Sequence, residues 1–113
     1  MDLDIRENGN ICILKLKGRL KLGDGVEDLD SAVASALASG HIFLILDLEA
    51  MPYIDSSGIG AIVNALRRAK QLGGEAKLVN PSSFAAKTLK MVGILSLFNV
   101  YETEAAAVES CGG

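Results

Sequence analysis

Residues 46–60 read LDLEAMPYIDSSGIG, and they join the most apolar stretch of the chain to its clearest helical pattern. A nearly unbroken apolar run, residues 42–48, overlaps the start of this stretch. It predicts a strand buried on both faces in the middle of a sheet. The other end leads into residues 57–72, where apolar residues at helical spacing and a Gly73-Gly74 stop predict a helix. Because sites in open α/β sheets gather at the carboxyl ends of strands, we expect the functional site in this stretch.

The segments on either side of this stretch predict alternating strands and helices. Residues 2–7 and 11–17 predict two strands around Asn8-Gly9, which is a strong signal for an antiparallel hairpin. The remaining predicted elements are a helix at 26–39, a strand at 76–80, a helix from Pro81-Ser82 to Val92, a strand at Val100-Tyr101 and a helix at 102–109. This alternation indicates a largely parallel sheet, and we interpret residues 1–113 as one domain.

The composition fits a small globular domain and argues against several classes of partner. Hydrophobic residues make up 50% of the 113 residues, which is enough for one buried core. The formal net charge is −3 and basic residues are scattered, so we expect no nucleic-acid partner. The longest apolar run is too short to span a bilayer, no secretory leader is recognisable, and Cys12 and Cys111 are too few for a disulfide framework. We therefore expect no membrane partner and a cytoplasmic location.

The sequence offers little of what catalysis needs, and we predict that the protein is not an enzyme. His41 is the only histidine, and it begins the strand whose far end leads to Ser57. A strand of that length spans roughly 23 Å, so a Ser-His-Asp triad is not expected. One histidine and two distant cysteines give no metal site, and no glycine-rich phosphate loop is present. We expect no catalytic residue, no metal and no cofactor.

Asp55, Ser56 and Ser57 stand where the second helix is predicted to begin. Each can act as an N-cap, because its side-chain oxygen can accept an N–H bond from the first turn, but together they exceed what one cap requires. Gly58 and Gly60 are unusual in a first helical turn, where each costs about 1 kcal/mol relative to alanine. Either they let the helix pack closely on a strand, or they leave backbone open to another molecule.

A phosphate on Ser57 would suit this position. Backbone N–H groups and the positive end of the helix dipole favour an anion at a helix N-terminus, so the fold itself would tolerate the modification. A partner docked over Ser57 would meet about two added negative charges, and a cost of roughly 4 kcal/mol would weaken binding about a thousandfold. Phosphorylation would then switch a contact off without unfolding the domain.

The stretch IDSSGIG, residues 54–60, resembles the signature of the STAS domain, specifically that of bacterial anti-sigma factor antagonists. The resemblance extends over nearly the whole chain and includes Gly18-Arg19-Leu20, Leu46-Asp47-Leu48, residues 73–80 and residues 92–98. It implies a STAS-like α/β fold, in which a mixed, mostly parallel sheet of about five strands carries an N-terminal antiparallel hairpin and is flanked by about four helices.

The resemblance also implies a function. Proteins of this kind bind an anti-sigma factor that is also a serine kinase of the GHKL ATPase type. The unphosphorylated form captures the kinase and frees the sigma factor, the kinase phosphorylates the second serine of the motif, here Ser57, and a PP2C-type phosphatase restores it. The residues that this implies for partner binding are Asp24, Asp55, Ser56, Ser57, Gly58 and Ile59.

One position departs from the family pattern. The family commonly carries an aspartate directly after Gly-Arg-Leu, where this chain has Lys21. Asp24 either takes that acidic role or turns the chain at Asp24-Gly25 and stands near the N-cap of the first helix. The change leaves open a second interpretation, a STAS module of another assembly such as a lipid-transport complex or a stress-sensing scaffold. A third interpretation is a nucleotide-binding protein or hydrolase, because an open helix N-terminus can bind an anion. The sequence offers no base, metal site or phosphate loop for it.

The third predicted helix carries two further expectations. Ser82-Ser83 opens it and is interpreted as a cap. Its inward side is expected to hold Ala85, Thr88, Leu89 and Val92. Apolar residues on and after this helix form either an exposed apolar edge or the bottom of the core: Phe84, Met91, Leu95, Leu97 and Phe98.

Overall fold

The computed structural model describes residues 1–111, and within them strands and helices follow the predicted order. The strands are β1 (Asp2–Asn8), β2 (Ile11–Lys17), β3 (Phe43–Asp47), β4 (Glu75–Val79) and β5 (Val100–Tyr101). The helices are α1 (Val26–Ala38), α2 (Ser56–Gln71), α3 (Ser83–Met91) and α4 (Glu104–Cys111), with a single 3₁₀ turn at Leu95–Leu97.

The five strands form one mixed sheet in the order β1-β2-β3-β4-β5. β1 and β2 are antiparallel, whereas the pairs β2–β3, β3–β4 and β4–β5 are parallel. The hairpin is therefore confirmed, although its loop residues are Gly9 and Asn10, because Asn8 still pairs with Ile11. Gly9 takes a positive φ of 61°, a conformation that glycine adopts without strain. The predicted fold class is confirmed.

The sheet separates two apolar clusters of unequal size. Leu44 and Leu46 of β3 belong to the larger cluster, which includes residues of α1, α2 and α3, whereas Ile45 belongs to the smaller one under α4. β3 is thus buried on both faces, as its unbroken apolar sequence predicts. Three helices cover one face of the sheet, and α4 covers the other.

The predicted boundaries lie within two residues of the observed ones, and the start of α4 shows a local cause for such a shift. α4 begins at Glu104 rather than at residue 102, because the Thr103 hydroxyl caps it by accepting the N–H of Ala106 at 3.1 Å. The expectation that Val92 faces inward is wrong: α3 ends at Met91, and the side chain of Val92 is 52% exposed.

The apolar residues on and after α3 divide between the two alternatives. Phe98 is buried in the larger cluster, and Leu95 packs against that cluster while partly buried. Phe84, Met91 and Leu97 are exposed. The apolar residues on and after α3 therefore form neither a continuous exposed edge nor a closed bottom to the core.

The third helix is capped as expected, since the Ser82 hydroxyl accepts the N–H of Ala85 at 3.2 Å.

Parallel pairing brings the ends of β2, β3 and β4 to the same side of the sheet, which we call the carboxyl edge. Backbone hydrogen bonds tie the loops that follow these strands to one another. The N–H of Leu20 donates to the carbonyl of Tyr53 at 2.9 Å, and the N–H of Ser82 donates to that of Leu48 at 3.1 Å. The start of α2 therefore lies in the middle of three connected loops.

Candidate functional site

Asp55 is the N-cap of α2, and it joins the helix to the neighbouring loop. Its Oδ1 atom accepts the N–H of Gly58 at 2.8 Å, while Oδ2 accepts the N–H of Leu22 at 3.2 Å. Of the three polar residues predicted at this helix start, Asp55 alone provides the cap. Ser56 and Ser57 are the first two residues of the helix, which begins one residue earlier than predicted.

Ser57 lies at the positive end of α2 and is accessible. Ser56 is exposed and Ser57 is partly buried at the surface. Among the described residues, neither serine hydroxyl has a side-chain hydrogen-bond partner, so neither is needed to hold the helix start. The hydroxyl of Ser57 is consequently available for chemistry at a place where helix N–H groups point outward.

The electrostatics of the α2 start favour negative charge. The pKa of Asp55 lies below its usual value, chiefly because its carboxylate accepts the Gly58 N–H, with smaller contributions from the N–H groups of Leu22 and Ser57 and from the charge of Lys21. The first turn of α2 contains no acidic residue. An added anion at Ser57 would therefore meet the positive end of the helix dipole, two residues along the chain from the Asp55 carboxylate.

The two glycines of the first turn have different roles. A Cβ atom on Gly58 would lie 2.3 Å from the carbonyl oxygen of Leu20 and 2.8 Å from Cγ1 of Ile54, so this glycine permits close packing. A Cβ atom on Gly60 would meet nothing within 4 Å, and the residue is exposed. Close packing thus accounts for Gly58, whereas Gly60 lies at an open surface and the second interpretation stays a prediction for it.

Asp24 holds its own loop together. Its carboxylate accepts a hydrogen bond from the Met1 amino group at 3.2 Å and pairs with Arg19 at 3.2 Å, and the Met1 contact is the main cause of its lowered pKa. Asp24 and Lys21 also exchange two backbone hydrogen bonds of 2.9 Å, which close the turn. Asp24 stands next to the N-cap of α1, which is Gly25, as one of the two alternatives expects, and no side chain caps this helix.

Apolar side chains flank the α2 start, and sequence reasoning missed two of them. Leu22, at the tip of the loop after β2, is 68% exposed. Tyr53 and Phe84 are 41% and 43% exposed, and their ring centroids lie 5.3 Å apart. Ile59, a predicted partner-binding residue, is partly buried and packs against the core. An apolar residue within a predicted loop is the signal that could have identified Leu22 and Tyr53.

A second carboxylate group lies behind the sheet, on the α4 side. Asp47, the last residue of β3, is only 3% exposed, and burial followed by a hydrogen bond to Glu104 raises its pKa to about 6. The pKa of Glu104 lies below its usual value, chiefly because of the neighbouring Asp47 carboxyl and then because of the ion pair with Arg6. No sequence motif identified this pair, since its members are far apart along the chain.

Other reactive groups lie elsewhere in the fold. His41 contacts the Gly9 carbonyl at 2.6 Å through Nδ1 and pairs with Glu7, at the amino end of β3. Cys12 is a buried core thiol, as predicted, and burial raises its pKa to about 11. Within residues 1–111 no three metal-ligating side chains converge, and no helix combines the length and apolar character needed to cross a bilayer.

A mixed five-stranded sheet with three crossover helices on one face and a single helix on the other defines a small α/β domain of the STAS type. The family model described as the STAS domain matches residues 2–107, and the chain belongs to this family. The resemblance of residues 54–60 to the family signature is thereby confirmed.

Named relatives agree with this assignment. The anti-sigma F factor antagonist of Lysinibacillus sphaericus is 28% identical over 102 residues, which cover 89% of this chain and 86% of the relative. The structure of the anti-sigma factor antagonist SpoIIAA in its unphosphorylated form superposes with a TM-score of 0.83 at 22% identity, covering 96% of this chain and 95% of that one. The Bacillus cell fate determinant SpoIIAA in its phosphorylated form gives a TM-score of 0.78 at 22% identity, covering 96% and 98%.

Proposed function

We propose that this protein is an anti-sigma factor antagonist whose partner contact is switched by phosphorylation of Ser57. In its unphosphorylated form it binds an anti-sigma factor that is a serine kinase of the GHKL type, and the sigma factor is released. The kinase phosphorylates Ser57, the complex dissociates, and a PP2C-type phosphatase restores the serine. The protein acts in the cytoplasm as a binding module and catalyses no reaction itself.

The accessible hydroxyl of Ser57 at the N-terminus of α2 is the observation that carries this proposal. A kinase can reach the hydroxyl without unfolding the domain, because Asp55 rather than Ser57 caps the helix. The phosphate formed there would lie at the positive end of the helix dipole, which favours its retention. The same phosphate would place about two negative charges in the middle of the contact surface.

The remaining site residues have distinct proposed roles. Ser56 offers an exposed hydroxyl beside Ser57, and Gly58 lets the helix start approach the loop that contains Leu20. Asp55 fixes the backbone that carries both serines, and its oxygens are already engaged by N–H groups, so it is poorly placed to act as a base. Ile59 supports the contact surface by packing against the core beneath it.

Asp24 would act indirectly in this scheme. Its carboxylate engages Met1 and Arg19, so it supports the loop whose Leu22 N–H reaches Asp55. A partner would therefore detect the loss of Asp24 through a displaced loop rather than through a lost contact.

The relatives support the proposal from outside the chain. The curated relative from Lysinibacillus sphaericus is named for antagonism of an anti-sigma factor. SpoIIAA, which shares the fold, has been solved both with and without its phosphate. A domain of this shape therefore accommodates a phosphate in at least one other member.

The test is binding to the purified GHKL-type serine kinase of the same genome, measured by calorimetry with nucleotide present. We expect wild type and Ser57→Ala to bind, and Ser57→Asp to bind at least a hundredfold more weakly. Ser35→Asp, the same change at an exposed position of α1, serves as the matched control and should bind as wild type does. Equal affinities for Ser57→Asp and Ser35→Asp would refute the switch.

Phosphorylation is measured separately by mass spectrometry after incubation with the kinase and ATP. Ser57→Ala should lose the phosphate, whereas Ser56→Ala should retain it. A phosphate that persists in Ser57→Ala and disappears in Ser56→Ala would move the switch to the neighbouring serine.

Lys21 favours a second candidate, a STAS module that serves another assembly. Its positive charge contributes to the lowered pKa of Asp55, so the residue that departs from the family pattern lies at the site itself. Wild-type protein that neither binds the kinase nor accepts phosphate from it would support this alternative.

A further inference from the structure

We propose that Leu22, Tyr53 and Phe84, together called the apolar frame, supply the main apolar contacts that hold the kinase over Ser57. This inference rests on the proposed function and adds to it the side chains from which the affinity derives. It also names the matching chemistry on the kinase, a dry apolar patch that surrounds the catalytic cleft.

The frame stands out by its two aromatic side chains rather than by exposure alone, because other large apolar residues of the chain are exposed as well. The sequence contains two tyrosines, three phenylalanines and no tryptophan, so aromatic side chains are scarce. Among these aromatic residues, only Tyr53 and Phe84 are exposed, and they stack against each other at the carboxyl edge. Exposed aromatic pairs are typical of the centres of protein interfaces, where they supply contact area at little entropic cost.

The frame lies on both sides of Ser57. On one side lies Leu22, whose N–H donates to the carboxylate of Asp55, two residues before Ser57. On the other side, Tyr53 precedes the helix, and Phe84 packs on its ring from the first turn of α3. The order of the strands places the loop after β2, the start of α2 and the start of α3 side by side.

A partner that reaches Ser57 must also cover the frame. A standard interface buries about 800 Å² on each protein, which corresponds to a disc about 32 Å across. The principal extents of this molecule are 31 × 25 × 23 Å, so such a disc spans its whole carboxyl edge. The kinase is therefore the occupant that the proposed chemistry at Ser57 requires.

An apolar frame also explains how one phosphate can abolish the contact. Apolar side chains that surround a polar centre exclude water from it when the partner docks. A serine hydroxyl can be buried in such a centre at modest cost, whereas a doubly charged phosphate without a paired cation on the partner cannot. The strength of the switch thus depends on the dryness of the frame as well as on charge repulsion.

The test compares serine substitutions inside and outside the frame, with the purified GHKL-type kinase of the same genome as the probe. We expect Leu22→Ser and Phe84→Ser each to weaken binding at least tenfold. Met91→Ser is the matched control, because Met91 is 77% exposed and lies at the other end of α3. It should bind within twofold of wild type, and the thermal midpoints of all three variants should stay close to that of wild type.

The outcomes separate this inference from the proposed function. If wild type binds the kinase and is phosphorylated on Ser57 while the frame variants bind equally well, the frame proposal is wrong and the proposed function stands. If wild type neither binds nor is phosphorylated, both fail. If sedimentation shows a wild-type dimer that Leu22→Ser dissociates without changing kinase affinity, the frame is a contact between two copies and the proposal is overturned.

Discussion

Asp47 and Asp55 stand at the two ends of the loop that joins β3 to α2, and the fold treats their charges in opposite ways. Asp47 is 3% exposed on the α4 side of the sheet, and burial together with Glu104 raises its pKa to about 6. Asp55 lies at the other end of the loop, where the N–H of Gly58 and then other N–H groups hold its pKa below the usual value. The same side chain is thus disfavoured as an anion at one end and favoured at the other.

The difference shows where this fold can accept a new negative charge. Behind the sheet, an added anion would lose water and meet Glu104, which is already ionised. At the start of α2 it would meet the positive end of the helix dipole at the protein surface. The comparison therefore favours the Asp55 end, where Ser57 lies, as the place for the proposed phosphate.

The largest expected effect concerns what holds the Asp55 end in place. Gly58→Ala should lower the free energy of unfolding by about 2 kcal/mol, because the new Cβ would collide with the backbone of Leu20 and the helical gain of alanine offsets only part of the cost. Urea denaturation monitored by circular dichroism measures the change.

Gly60→Ala is the control for that measurement. Its Cβ would enter open space, so the variant should be as stable as wild type or more stable by up to about 1 kcal/mol. If both alanine variants behave alike, the close approach of Gly58 to Leu20 does not position the cap, and the contrast between the two aspartates loses its structural basis.

The next effect is a pH dependence from the Asp47 end. The folded-state pKa of Asp47 is about 6, above its unfolded value near 3.8, so the folded protein binds the proton more tightly. Stability should therefore fall as the pH rises from about 4 to about 6.5, and Asp47→Asn should exceed wild type by about 1 to 2 kcal/mol at pH 7 and match it at pH 4. Denaturation midpoints across this range measure the difference.

In the same experiment, Asp55→Asn should change the stability in the opposite direction to Asp47→Asn. The pKa of Asp55 is lowered, so its charge stabilises the fold above its unfolded pKa, and this contribution disappears as the pH falls through the folded value. The variant should be less stable than wild type at pH 7, and this difference should shrink as the pH falls below the unfolded pKa of 3.8. Parallel pH profiles for the two asparagine variants would contradict the comparison.

The Asp55 end was largely predictable from the sequence. An apolar strand, a polar cluster and an amphipathic helix follow one another within a few residues, so local patterns are enough to place Ser57 at the helix start. Which residue caps, and which glycine packs, was not predictable. Those roles depend on Leu20 and Leu22, which reach the site from the loop after β2.

The Asp47 end was not predictable for the same physical reason. Asp47 ends an apolar run, and nothing local reveals which face of the sheet it occupies or that α4 returns to cover it. The partners of Asp47 come from distant elements, with Glu104 on α4 and Lys15 on β2. The pairing of Asp24 with Met1 escaped prediction similarly. Long-range electrostatics follow from topology, and the sequence pattern constrains topology only in outline.

A smaller effect tests the link between Asp55 and the loop after β2. Asp55→Ala removes both acceptors, so the amide hydrogen of Leu22 should exchange with solvent severalfold faster than in wild type. Hydrogen exchange followed by NMR measures this amide. Asp55→Asn retains an acceptor oxygen and should protect the amide at least partly, whereas equal protection in all three proteins would show that Asp55 does not hold the loop.

The smallest effect comes from the ion pair between Arg6 and Glu104. The Arg6 side chain is about half exposed, so Arg6→Gln should cost only about 0.5 kcal/mol at low salt, and less at high salt. Arg67→Gln is the control, because Arg67 contacts Asn64 rather than a carboxylate, and it should show little salt dependence.

Arg6→Gln has a second, more informative consequence. Without the arginine, the pKa of Glu104 rises and its carboxylate binds a proton more readily, so the midpoint of the pH-dependent loss of stability should move. A midpoint that stays fixed in Arg6→Gln would mean that burial alone sets the state of Asp47 and that α4 contributes no charge to it.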